Sequence, residues 1–278
     1  MALLPIKDDN DLTSISFQYV TVGMIVACVA VFLWQQSLGT EQGKAILGLG
    51  IIPAVLFGSR ELSSDLVLFP PTITLLSSIF LHGGWMHLIF NMLFLWVFGD
   101  NVEDSMGHFR YIIFYLICGI LASLSHAVME PSSAVPLVGA SGAISGVLGG
   151  YLVLHPRARL LVLFMNIIPL RLPAIIVLGG WIGLQFLSLS SGEESNTAWW
   201  AHIGGFLAGM ILVVPFRRKS VPLFDGAGRF GPNDPNAINL EERRHGQSIF
   251  PNTVKLKPDR DRPLITKKPP TKPWDRPQ

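Results

Sequence analysis

Six apolar runs dominate this chain, and a run of that kind has few ways to fold. A helix needs about 20 apolar residues, and at least about 17, to cross a bilayer. The runs are Phe17–Trp34, Trp85–Phe98 lengthened at its start by Leu75–Leu81, Phe109–Ser125, Val138–Leu154, Pro173–Leu189 and Trp199–Phe216. They predict an all-α polytopic membrane protein with six transmembrane helices. Composition agrees: 50% of the 278 residues are hydrophobic and only 14% charged, against about 25% charged in soluble domains. The fourth and sixth runs are rich in Gly and Ala, which lets helices approach closely where lipid gives no hydrophobic drive.

Charge sets the expected orientation. With the N-terminus inside, the inner segments hold Lys7, Arg110, Arg157, Arg159, Arg171, Arg217, Arg218 and Lys219, whereas the outer ones hold Lys44 and Arg60. Both termini of this multi-pass protein are therefore expected in the cytoplasm. Residues 1–15 read as a short cytoplasmic N-terminus and 16–219 as the membrane domain. Residues 220–278 read as a disordered Pro-rich and charged tail, which cannot bury enough apolar surface to fold. Residues 1–220 carry 10 Lys/Arg against 12 Asp/Glu, so nucleic acid is not an expected partner of the core. Residues 37–74 read as a membrane-associated outer loop, and 155–171 as a segment lying along the inner interface. Cys28 and Cys118 sit in apolar runs and read as buried small hydrophobes. The N-terminus reads as neither a cleavable signal nor a transit peptide.

Polar residues at membrane depth are costly and call for a functional reading. Ser141 lies in Gly139-Ala140-Ser141-Gly142, at the start of the fourth run. Glycines leave its hydroxyl accessible, and a helix N-terminus offers unpaired N–H groups to an oxyanion. The same glycines also make a helix-packing face. His202 stands near the start of the sixth run; it reads either as an imidazole that only hydrogen-bonds another helix, or as the base suited to a serine at neutral pH. Packing of the two Gly-rich helices is expected to bring Ser141 and His202 to hydrogen-bond distance. His87 and Asn91 share one face of the second run, where Asn91 offers an uncharged donor or a polar pair bridging helices. Trp85, Met86 and Phe90 read as lipid or packing contacts, and His82 as interfacial. No intramembrane carboxylate is found to orient His202, which leaves a Ser–His dyad. No metal site and no cofactor are expected.

These residues, in this order on these runs, resemble the rhomboid intramembrane serine proteases. Gly139-x-Ser141-Gly142, Ala201-His202-x-x-Gly205 and His82…His87-x-x-x-Asn91 carry the likeness, over roughly residues 16–219. The resemblance implies a six-helix fold of the minimal bacterial form, and with it a bacterial cell (inner) membrane. It implies cleavage of membrane-anchored proteins within or beside their transmembrane segment, with Ser141 as nucleophile and His202 as base. His87, Asn91 and the Ser141 N–H would form the oxyanion hole, and Gly205 would let the fourth and sixth helices pack tightly. Transmembrane proteins and the lipid bilayer are the implied partners. Two positions depart from the pattern: Ser145 stands where many relatives carry an aromatic beneath the imidazole, and Ile73-Thr74 where a Trp-Arg pair is common. A catalytically inactive rhomboid-like client-binding protein is the alternative, and a small transporter or channel a more distant one. Access from lipid is expected through the fifth helix, with loop 188–198 and the large residues Trp181 and Phe186 as the gate.

Overall fold

A computed structural model describes residues 3–165, 167–190 and 198–224. The chain divides into a unit of residues 1–229 and a second of 230–278, and the second lies outside the described residues. The expected disorder of residues 225–278 therefore also lies outside them.

The described chain is mostly helical. Three helices are long and apolar enough to cross a membrane: α1 (Tyr19–Ser37), α6 (His108–Met129) and α9 (Trp199–Phe216). Between α1 and the next long helix lie the short helices α2 (Gln42–Leu49), α3 (Pro53–Leu56) and α4 (Thr74–Ser77). A fourth candidate span is broken. Residues Pro71–Phe80 meet α5 (Trp85–Met106) at a bend of 79°, so Leu75–Leu81 does not lengthen the helix as expected. The break has a local cause. Leu81 is extended, and the Gly83-Gly84 pair that follows has no side chain to favour a helix. His82 inside the break is fully buried rather than interfacial. Its N–H donates to Gln35 Oε1 at 3.0 Å, and Gln35 Nε2 donates back to its carbonyl at 3.3 Å.

Two shorter apolar helices follow: α7 (Ser141–Leu154) and α8 (Ala174–Ser190). Helix α7 starts at Ser141, not at Val138, because Gly139 adopts φ +129°, which no helix continues. Fourteen residues rise about 21 Å, short of the ~30 Å hydrocarbon thickness. Large apolar side chains on the helices face outward, among them Trp85, Met86, Ile89, Ile176 and Ile211. That is the surface expected against lipid rather than water.

The all-α expectation needs one correction. Strands β1 (Leu3–Asp8), β2 (Arg159–Phe164) and β3 (Ile168–Pro173) form an antiparallel sheet in the order β1-β2-β3. Residues 155–171 thus form most of a hairpin, not a segment lying along the interface. The alternation that suggested an amphipathic surface segment has a period of two. Leu160 and Val162 are buried while Arg159 is exposed, the pattern of a half-buried strand. The N-terminal segment is likewise docked. Asp8 Oδ2 accepts from Asn101 Nδ2 and from Tyr151 Oη, each at 2.7 Å. Asp104 accepts from the N–H groups of Thr13, Ser14 and Ile15. Helix α1 has no side-chain cap of its own, and Glu103 of α5 supplies one. Glu103 accepts from Val20 N–H at 3.0 Å, and from Thr21 N–H and Oγ1 at 2.8 and 2.7 Å.

At the other end the packed unit runs past the expected boundary at 219. Arg218 N–H donates to Ser105 O, Arg217 Nη1 to Val221 O, and Phe224 N–H to Val153 O. Val221 is only 1% exposed. Burying one such side chain contributes roughly 1.5–3 kcal/mol. Truncation after Lys219 is therefore expected to lower the melting temperature in detergent by several degrees, at about 2–4 °C per kcal/mol. Truncation after Phe224, which keeps all three of these bonds, should spare this part of the loss.

Asp8 gives a second expectation. Burial pushes its carboxyl up from 3.8 to about 7, and the hydrogen bond from Tyr151 opposes that rise without cancelling it. A carboxyl that holds its proton more tightly folded than unfolded stabilises the fold most at acid pH. That contribution is lost as pH rises from about 4 through about 7. Asp8→Asn keeps an oxygen acceptor for both donors. It should be more stable than wild type at pH 8, and the gap should close by pH 4 in thermal unfolding across that range.

Candidate active site

Helices α7 and α9 touch backbone to backbone. A Cβ placed on Gly205 would lie 2.2 Å from Gly142 O, and one on Gly209 would lie 1.9 Å from Gly146 O. From the α7 side, a Cβ on Gly149 would lie 2.1 Å from Phe206 O. At Gly149, Gly205 and Gly209 a side chain is excluded by this contact, whereas a Cβ on Gly142 would lie 2.7 Å from the Ala122 Cβ of α6. The contact lies one residue after Ser141 and three after His202.

Ser141 is the first residue of α7 and is half-buried. The first intrahelical bond runs from Ile144 N–H to Ala140 O, and no side chain caps this end. The N–H groups of Ser141, Gly142 and Ala143 therefore have no intrahelical acceptor. Ser145 is buried, and its hydroxyl donates to Ser141 O at 2.6 Å. It is engaged by its own helix and is the poorer nucleophile of the two. A small cavity beside Ser141 is lined in part by Ser78, Ser123 and Gly139.

His87 and Asn91 reach this point from α5. A Cβ on Gly139 would lie 2.8 Å from His87 Nε2 and 3.8 Å from Asn91 Nδ2. Asn91 is 6% exposed, and its Nδ2 has no hydrogen-bond partner. A buried unpaired amide costs about 1–3 kcal/mol unless something completes it, and an oxyanion would. His87 Nδ1 accepts from Gly83 N–H at 3.4 Å, and its ring meets that of His82 edge to face at 5.3 Å.

His202 stands on the first turns of α9. Among the described residues no hydrogen bond joins it to the Ser141 hydroxyl, unlike the expectation; its side-chain bond is to another helix. The imidazole is held from its other side. Gln185 Oε1 of α8 accepts from Nδ1 at 2.9 Å, while Gln185 Nε2 points to Trp181 O at 3.5 Å. An amide oxygen on Nδ1 puts the proton there and leaves Nε2 as the acceptor. Trp181 and Trp199 lie against the ring with centroids at 5.8 and 6.2 Å. They supply the aromatic contact that Ser145 cannot. Sequence reasoning missed Gln185; a lone amide in an apolar run was the available signal. Of the expected gate, residues 191–197 lie outside the described residues, and Phe186 is exposed on α8. No cluster of metal-ligating residues occurs among the described residues.

Gly139 gives a test of this geometry. Its φ of +129° and the His87 ring at 2.7 Å leave no room for a methyl group. Gly139→Ala is expected to displace His87 and Asn91 from Ser141 and to destabilise by about 1–3 kcal/mol. Thermal unfolding in detergent reads that loss.

A family model described as the rhomboid domain matches residues 71–219, more than half of the chain. The chain is 36% identical over 155 residues to a Bacillus subtilis protein named rhomboid protease GluP, covering 56% of this chain and 28% of that one. It is 36% identical over 140 residues to the same organism's putative rhomboid protease YdcA, covering 50% and 64%. RHOMBOID-like protein 4 of Arabidopsis thaliana matches at 32% over 187 residues, covering 66% and 44%. The chain thus spans less than two thirds of the length of each of these relatives. With its apolar helices and this match, it is a multi-pass integral membrane protein, and it belongs to the rhomboid family.

Proposed function

We propose that the protein is an intramembrane serine endopeptidase that cleaves membrane-anchored proteins within or next to their transmembrane segment. One observation carries the reading: the buried, unpartnered amide of Asn91 faces the loop that leads into Ser141. The free N–H groups at the start of α7 point to the same chemistry. In the proposed reaction His202 Nε2 takes the Ser141 hydroxyl proton as Oγ attacks the scissile carbonyl carbon. The carbonyl oxygen becomes an oxyanion, met by Ser141 N–H, Asn91 Nδ2 and His87. Collapse expels the amine, which receives the proton from His202 and leaves an acyl-serine. Water then attacks the acyl carbon, His202 takes its proton, and the carboxylic acid departs with Ser141 restored.

The proposed topology has six spans, with α7 and α8 among them and both termini in the cytoplasm of a bacterial cell. The distribution of Lys and Arg supports it. In that arrangement the shortness of α7 puts Ser141 below the outer surface, and a transmembrane substrate reaches it from lipid. The names of the Bacillus relatives support protease activity.

A fluorophosphonate probe and a model transmembrane substrate test the reading on detergent-purified protein. Wild type should label and cleave, while Ser141→Ala and His202→Ala should do neither. Asn91→Ala should retain labelling yet lose about 10²–10³ in turnover, the worth of one oxyanion donor. Wild-type protein that neither labels nor cleaves, though folded, would leave an inactive client-binding protein as the answer.

A further inference from the structure

Helix α8 is loosely docked. Of its 17 residues only Ala174, Val177, Leu178 and Gln185 are buried, and a Cβ on Gly179, Gly180 or Gly183 would meet nothing within 4 Å. Beyond Leu178 the one buried residue is Gln185, a polar side chain on a helix that otherwise turns Ile175, Ile176, Leu184, Phe186 and Leu187 outward. An amide buried in such a helix is costly unless paired. Its pairing is the 2.9 Å hydrogen bond from His202, and its second amide atom is fixed by the carbonyl one turn back. The fork therefore has a defined orientation, with the oxygen toward the imidazole.

We propose that Gln185 is the positioning residue for His202, and that the base is correctly oriented only while α8 is docked. The inference rests on the serine-protease reading above. The amide oxygen holds the proton on Nδ1 and turns Nε2 toward Ser141, the task a carboxylate performs in a triad. Being neutral, it orients the imidazole without adding a charge inside the membrane. Because Gln185 rides on α8, movement of that helix away from α9 breaks the bond.

The discriminating test compares a small probe with a large substrate. A merely structural or gating role for Gln185 changes access of a transmembrane substrate but not labelling by a small fluorophosphonate. A positioning role slows both by a similar factor. Gln185→Leu is expected to lower the labelling rate and the kcat for a transmembrane substrate each about 10- to 100-fold, with KM unchanged. Gln185→Glu keeps the acceptor and adds a charge that favours the imidazolium. It should keep most of the activity at alkaline pH, with the acid limb of its kcat/KM profile moved to higher pH. The other titratable groups that act on His202 are His87 of α5 and His126 of α6. Helix α7 contributes only Tyr151 near its far end, and α8 none. Wild-type labelling rates in Gln185→Leu, or an acid limb unmoved in Gln185→Glu, would overturn the proposal. If wild type itself is inert to probe and substrate, the protease reading fails instead, so the two failures are distinguishable.

Discussion

Backbone contact between α7 and α9 is the constraint on which the site depends. Lipid offers no hydrophobic force between helices, so association rests on close van der Waals contact and on polar bonds. Gly149, Gly205 and Gly209 remove the side chains that would hold the axes apart, while Gly142 and Gly146 let α7 approach Ala122 and Cys118 of α6. Surface for contact is thereby gained along the length of the short helix. Around that seam α5 and α6 pack with His87, Asn91 and Ser125, whose hydroxyl donates to Trp200 O at 3.1 Å. The polar groups thus gather beside the seam where the helices are closest.

By contrast, α8 joins this rigid set through few residues. Its three glycines face open space, and its aromatic contact with the bundle is Trp181 against His202 and Phe206. Regions with few buried contacts open at low free energy. Closely packed α7 and α9 thus stand beside a lightly packed α8, and His202 of α9 touches α8 through Gln185 and Trp181.

Much of this was legible in the sequence. The apolar runs located the long helices because membrane depth demands length. Gly139, Ser141 and His202 stood out because glycines and polar groups in such runs are expensive. What stayed hidden depends on long-range pairing. Nothing near Glu103 or Asp104 signals that their partners are the N–H groups of residues 13–21. The strand at Leu3–Asp8 is too short to assign from its own pattern, and its partner β2 lies more than 150 residues away. The bend before α5 was written in Gly83-Gly84, yet the apolar run on either side of it reads as continuous. Gln185 was overlooked because its role appears only once α8 is laid against α9.

The borrowed cap on α1 has a consequence for how the chain is made. Helix α1 emerges from the ribosome with its first N–H groups bare, and the carboxylate that completes them follows 82 residues later. Until α5 is synthesised, the first turn of α1 lacks Glu103 and residues 13–15 lack Asp104. Strand β1 waits longer still, for a hairpin that comes after α7. Residues 3–15 thus settle only after elements that follow them in the chain, and synthesis stalled before α5 should leave this segment open to proteases.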